Sequence, residues 1–179
     1  TGAVDMDINP KNPDELYAAM WYRTRRAWNF EEGGKTSGIY KSTDGGNTWK
    51  HITASSSGFP TGDGLGRIGV AVFAANPNII YATLDNQGRR PDTPIIGCEV
   101  YRSDDAGASW RKVNTKGLNL YNTYGYYFGK ITLSSTNENK MLISGVSLLL
   151  SEDGGKTFDA TDNEATHGDW HRCWINPNK

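Results

Sequence analysis

The residues best placed by type and spacing to do chemistry lie in the motif HGDWH, where His167, Asp169 and His171 alternate. In an extended segment, alternate side chains project from one face. Trp170 and Arg172 would then take the other face. Two imidazoles and a carboxylate together form a ligand set for zinc or another divalent cation, the one cofactor these residues suggest. The same group suits acid–base work, with Asp169 orienting a histidine such as His171. The chain holds three histidines, His51, His167 and His171, so two of the three fall in this motif. The competing reading is a Gly-Asp turn, in which Asp169 caps backbone amides and the histidines pack or face solvent.

Two aromatic stretches offer a different chemistry. From Trp21 to Gly34, Trp21, Tyr22, Trp28 and Phe30 are interleaved with Arg23, Arg25 and Arg26. From Tyr121 to Gly129 the chain concentrates tyrosines, among them Tyr124 and Tyr126. Aromatic rings stack on sugars or peptide side chains, and guanidinium groups clamp carboxylates. The expected ligand contacts are therefore Trp21, Arg23, Arg25, Trp28, Tyr124, Tyr126 and His167. The alternative is that the rings pack their own loops and the arginines are solvated. Glycoside hydrolysis needs two carboxylates, either about 5 Å or about 6.5–9.5 Å apart. Glu31, Glu32, Asp63, Asp85, Asp92 and Asp169 are the acids in suitable segments, and no spacing rule pairs any two of them. The Gly-rich run from Gly58 to Gly66 lacks the lysine and following helix of a phosphate loop.

Something rigid has to hold these loops, and internal repeats show what it is. One octet occurs three times, as STDGGNTW (Ser42–Trp49), SDDAGASW (Ser103–Trp110) and SEDGGKTF (Ser151–Phe158). Each follows a short apolar run and precedes a strand-like one, which is a hairpin signal. The aspartates Asp44, Asp105 and Asp153 can accept turn amides. The glycines Gly46, Gly107 and Gly155 permit positive φ. The aromatics Trp49, Trp110 and Phe158 can fold back on the hairpin. These roles are structural, because one active site does not need three copies.

A second signature precedes each octet: a strand, an Asn-rich turn and another strand, at Val4–Trp21, Arg67–Asp85 and Lys130–Val146. A fourth copy begins at His171–Lys179. The expected fold is all-β, a partial β-propeller of four-stranded antiparallel blades with octet hairpins. About three blades are expected, over 1–62, 63–126 and 127–165, with the start of the next at 166–179. The rest of the ring would come from the same longer chain or from another subunit. Strand parity puts every short turn on one face and every long connection on the other. Long loops on a rigid scaffold are where binding concentrates.

The octet resembles the Asp-box, or BNR repeat, of sialidases, xyloglucanases and sortilin-type receptors. The phrases GIYKSTDGGNTW, GRIGVAV…NPNIIYA and HGDWH…WINP resemble a bacterial family of sortilin-like, BNR-repeat glycosyl hydrolase-like proteins, over essentially the whole chain. That resemblance implies an exported protein, extracellular, periplasmic or at the cell surface. It implies either a peptide- or glycan-binding propeller or a glycoside hydrolase. The surroundings of the xyloglucanase catalytic aspartates are not found in this sequence. The arginine triad of sialidases comes from separate blades, unlike Arg23, Arg25 and Arg26.

Composition narrows the classes further. Lys plus Arg number 19 against 20 Asp plus Glu, so no charge excess points to nucleic acid. No apolar run reaches the roughly 18 residues of a membrane span. The 21 glycines among 179 residues exceed the roughly 7% average and suit a turn-rich β protein. Two cysteines, Cys98 and Cys173, either pair or stay free. The expected function is binding of a peptide or glycan on the long-loop face and in the central channel. A hydrolase with a carboxylate pair and a scaffold within a secretion or cell-surface assembly are the rivals.

Overall fold

The computed structural model describes residues 1–54, 56–89, 98–121, 124–161 and 165–177. Three four-stranded antiparallel sheets follow one another along the chain, each with its strands in sequence order. Sheet one contains β1 (Gly2–Ile8), β2 (Leu16–Trp21), β5 (Gly38–Ser42) and β6 (Lys50–His51). A separate hairpin, β3 (Thr24–Arg26) with β4 (Asn29–Glu31), interrupts it. Sheet two contains β7 (Leu65–Val72), β8 (Ile80–Asn86), β9 (Glu99–Ser103) and β10 (Arg111–Lys112). Sheet three contains β11 (Lys130–Leu133), β12 (Met141–Ser144), β13 (Leu148–Ser151) and β14 (Asp159–Ala160).

The octets form the third turn of each sheet through one repeated set of bonds. In the first, Asp44 Oδ1 accepts the Thr48 amide at 2.9 Å and Asp44 Oδ2 the Thr48 hydroxyl at 2.6 Å. Ser42 Oγ donates to Asp44 Oδ1 and accepts the Gly46 amide. Asp105 with Ser103 and Ser109, and Asp153 with Ser151 and Thr157, repeat the pattern. Gly46, Gly107 and Gly155 all take positive φ, and the residue before each does too, including Ala106 at 56°. The indoles of Trp49 and Trp110 donate back to the carbonyls of Gly46 and Gly107. Phe158 has no such donor and packs half-buried against the core.

Each octet turn is clipped to the Asn-rich turn of its own sheet. The amides of Gly45, Ala106 and Gly154 donate to the carbonyls of Asp14, Asn78 and Asn139 at 3.0, 2.9 and 3.0 Å. The short turns therefore share one face, as strand parity requires. The core is layered between the sheets. One cluster, with Tyr17, Ile39, Val70, Tyr101 and Trp110, joins sheets one and two. Another, with Tyr81, Val100, Tyr121, Ile131 and Met141, joins sheets two and three. Their first strands lie side by side, β7 between β1 and β11. Asp5 Oδ2 and Asp7 Oδ2 accept the amides of Val70 and Val72, and Lys130 pairs with Asp5.

The segment expected to start a fourth blade carries no regular strand. Among the described residues, 165–177 contain no strand. The segment instead crosses sheet three, where Cys173 O accepts from Thr132 Oγ1. No second strand in the described chain offers it a ladder. Cys98 and Cys173 are both free thiols.

Candidate functional site

The long connection after β2 begins with a turn of direction at Tyr22, whose amide donates to Ser37 Oγ. It then folds into the β3–β4 hairpin, pairing Arg25 with Phe30. The Arg25 guanidinium lies 5.1 Å from the Phe30 ring centroid. Phe30 in turn meets Tyr126 edge to face at 5.1 Å, which joins the hairpin to the connection before β11. That connection is anchored by Tyr121, which is buried with its hydroxyl 3.1 Å from Cys98 Sγ. It is tightened by two successive turns, Tyr124 N to Tyr121 O and Tyr127 N to Tyr124 O. Gly125 has to be glycine here, since a Cβ would fall 2.2 Å from Asp85 Oδ2.

These pieces enclose a cavity of about 420 Å³ lined by Arg23, Arg25, Tyr124, Tyr126, Tyr127, Phe128 and Asp169. A second cleft of about 400 Å³, lined by Thr1–Val4, Trp21, Arg23 and Arg67, shares Arg23 with it. Trp21, buried in the wall of the second cleft, donates its indole N–H to the Glu32 carbonyl. Arg23 and Arg67 both stack on the Trp21 ring, at 5.2 and 5.8 Å. Burial lowers the pKa of the Arg67 guanidinium, and the neighbouring Arg23 charge acts in the same direction. Among the described residues, no carboxylate pairs with Arg23, Arg25 or Arg67. This is a cationic, aromatic-walled site with one acid, Asp169, on its rim. A larger cavity of about 620 Å³ lies by the octet turn of sheet two, lined in part by Lys41, Trp49 and Asp105. Of its charged groups, Lys41 is paired with Glu15 and Asp105 is bonded to Ser109.

The structure brings together Arg23, Arg25, Tyr124, Tyr126 and Asp169 from the sequence-predicted set. Trp28 sits apart, almost fully exposed between β3 and β4. The expected metal set does not assemble. Asp169 takes φ 73°, which breaks the alternation on which a shared face depended. Its amide and that of Trp170 are held by the carbonyls of Val146 and Gly145. His167 is left exposed, with Nδ1 at 2.9 Å from the Gly168 carbonyl. His171, itself exposed, lies against the rings of Tyr127 and Phe128, each at 5.1 Å. Among the described residues, no three His, Cys, Asp or Glu side chains converge as a metal site. Of the acids, Glu32 and buried Asp85 meet on one group, both accepting from Gln87 Nε2, at 3.3 and 2.9 Å. Glu31 accepts from Tyr22 and Thr24, and Asp63 faces Lys35 at the surface. Asp92 lies outside the described residues. Arg67, Tyr127 and Phe128 belong to the site although sequence reasoning missed them. The signal for Arg67 was available, as the one charge in the apolar run of β7.

The chain is similar to fragments of larger solved structures. A GH74 enzyme of Niastella koreensis matches over 90% of this chain and 22% of its own, with 23% identity and a TM-score of 0.57. YCF48 bound to D1 peptide matches over 89% and 40%, with 15% identity and 0.55. An ancestral GH74 enzyme matches over 89% and 18%, with 17% identity and 0.54. The chain is part of a β-propeller. Its three sheets are blades, and it spans less than half the length of each of these three chains. No protein-family model and no curated protein sequence matches it. Within the propeller, the arginine–tyrosine cavity lies on the face opposite the octet turns. Among the described residues, no helix is long and apolar enough to cross a membrane.

Proposed function

We propose that this part of the propeller is a binding module whose cavity takes an extended peptide bearing a carboxylate. The supporting observation is the convergence of Arg23, Arg25 and Arg67, with no carboxylate partner among the described residues, beside a wall of tyrosines. Arg67 already donates to the Tyr126 carbonyl at 3.3 Å, and an arriving anion would add charge-assisted hydrogen bonds to these guanidinium groups. The tyrosine rings supply apolar area and stacking to the rest of the ligand. The similarity of YCF48 bound to D1 peptide accords with a peptide ligand. The proposal extends to a protein of the Asp-box kind acting outside the cytoplasm, a reading supported by the resemblance of the three octets.

The test is fluorescence-polarisation binding of acidic and neutral peptides, and of neutral and uronate oligosaccharides, to the full-length protein. Acidic peptides are expected to bind best. Arg25→Ala and Arg67→Ala should each weaken them about tenfold or more, the loss of one hydrogen bond to a charged group. Preference for oligosaccharides would shift the reading to a glycan, and no binding by any probe would overturn it. A hydrolytic reading draws on the two GH74 matches. It predicts polysaccharide cleavage that Asp169→Asn abolishes while binding persists. Among the described residues Asp169 is the one carboxylate lining the cavity, which stands against it, since such hydrolysis uses a pair; Glu32 and Asp85 meet on Gln87 instead.

A further inference from the structure

The arginine–tyrosine cavity has two unlike sides. On the hairpin side, Arg23 and Arg25 lie over the rings of Trp21 and Phe30, at 5.2 and 5.1 Å, and give that wall its positive charge. On the other side the connection before β11 contributes the rings of Tyr124, Tyr126, Tyr127 and Phe128. Each ring meets the next along the chain at a steep angle. Their centroids are 6.1, 6.3 and 5.4 Å apart, and their planes are inclined at 66°, 65° and 89°. Rings set this way form adjoining walls, not one flat platform. A sugar stacks on a single ring face, whereas a corner of several π faces attracts a compact cation.

The acid at this corner is Asp169. His171, two residues on, lies against Tyr127 and Phe128, which places Asp169 on the aromatic side. Its backbone is fixed. Gly168 runs so close to Val146 that a Cβ there would fall 2.7 Å from the Val146 carbonyl oxygen. The amides of Asp169 and Trp170 donate to Val146 and Gly145 at 3.2 and 2.7 Å. Asp169 holds φ 73°, a setting that aspartate and asparagine tolerate better than other side chains. Among the described residues its carboxylate has no hydrogen-bond or ion-pair partner, although two arginines line the same cavity. A negative group is thus held beside π faces and left open to a ligand.

We propose, building on the binding-module reading, that this corner is a subsite for a basic side chain of the same peptide. The ligand then carries a lysine or arginine near its carboxylate. The cationic head sits between the tyrosine rings and Asp169, and the carboxylate lies on Arg23 and Arg25. The apolar stem of such a side chain packs along ring faces while its head reaches the acid. A cavity of about 420 Å³ is roughly 9 Å across if round, the length of about two to three residues of extended chain. The two charges therefore belong within about three residues of each other. A purely acidic segment would set like charge against Asp169, and a purely basic one would meet the arginines. The opposed sides select a segment of mixed charge.

The test uses N-acetylated, C-amidated peptides with one glutamate and, two positions away, either lysine or acetyl-lysine. Fluorescence polarisation with the full-length protein should show the lysine peptide binding about fivefold tighter. Asp169→Asn keeps a side chain suited to the left-handed backbone and should bring the two affinities together. Tyr124→Leu should about halve the preference. Arg25→Ala should weaken both peptides alike. Equal binding of the two peptides by the unaltered protein, with glutamate still required, would overturn the basic subsite and leave the carboxylate site standing. A lysine preference that survives Asp169→Asn would overturn it too. If neither peptide binds, the binding-module reading falls and the subsite with it.

Discussion

At the residue scale, the octet aspartates show how position sets chemistry without burial. The Thr48 hydroxyl, and then its amide, hold the Asp44 carboxyl down at about 2, and the Thr157 hydroxyl and amide do the same for Asp153. Ser109 lowers Asp105 in the same way. A carboxyl whose folded pKa lies below its ordinary 3.8 adds stability that is complete above the ordinary value and lost as pH falls through the folded one. Thermal melts of the full-length protein should therefore be flat above about pH 5 and fall between about pH 4 and pH 2. Asp153→Asn should flatten that acid limb, and an unchanged limb would mean the octets do not carry it. These roles were legible in the sequence because every partner lies within four residues. Asp169 was not, since its backbone is set by Gly145 and Val146, more than twenty positions away.

At the scale of elements, the sheets follow from local pattern while the site depends on contacts between loops. Alternating apolar runs and Asn-rich or octet turns lead to β1, β2, β5 and their repeats directly. The β3–β4 hairpin carries no turn signature, and only its packing on Tyr126 gives it a place in the site. His171–Lys179 has the pattern of a first strand, but pattern alone cannot supply a ladder partner. The connection before β11 rests on one close approach, that of Gly125 to Asp85. Gly125→Ala would drive a methyl group into a buried carboxylate, an overpacking that costs about 1–3 kcal/mol. Denaturant unfolding should register that loss. Peptide affinity should fall with it, because Tyr124, Tyr126 and Tyr127 move together. A variant with unchanged stability would show that the loop is held some other way.

For the whole molecule, the inner strands matter as much as the apolar layers between blades. Lys130 of blade three reaches Asp5 of blade one, and Asp5 also accepts the Val70 amide of blade two. One carboxylate thus ties three blades. Asp7, close by, has its pKa raised by burial, although the Val72 and Ile8 amides oppose the shift. Lys130→Met leaves Asp5 beside Asp7 without its cation and should cost the full-length protein about 1–3 kcal/mol. Chemical denaturation of Lys130→Met alone and combined with Asp5→Asn would show whether the two losses add. Full additivity would mean the tie is not made.

The clips between octet and Asn-rich turns divide the molecule in a further way. With Gly45, Ala106 and Gly154 each bonded across to a neighbouring turn, one face has no slack in which an added residue could be absorbed. The opposite face already accommodates a whole extra hairpin between β2 and β5. Inserted sequence should therefore be tolerated on the arginine–tyrosine face and rejected on the other. A scaffold divided like this can change what it grips while the ring beneath keeps its shape.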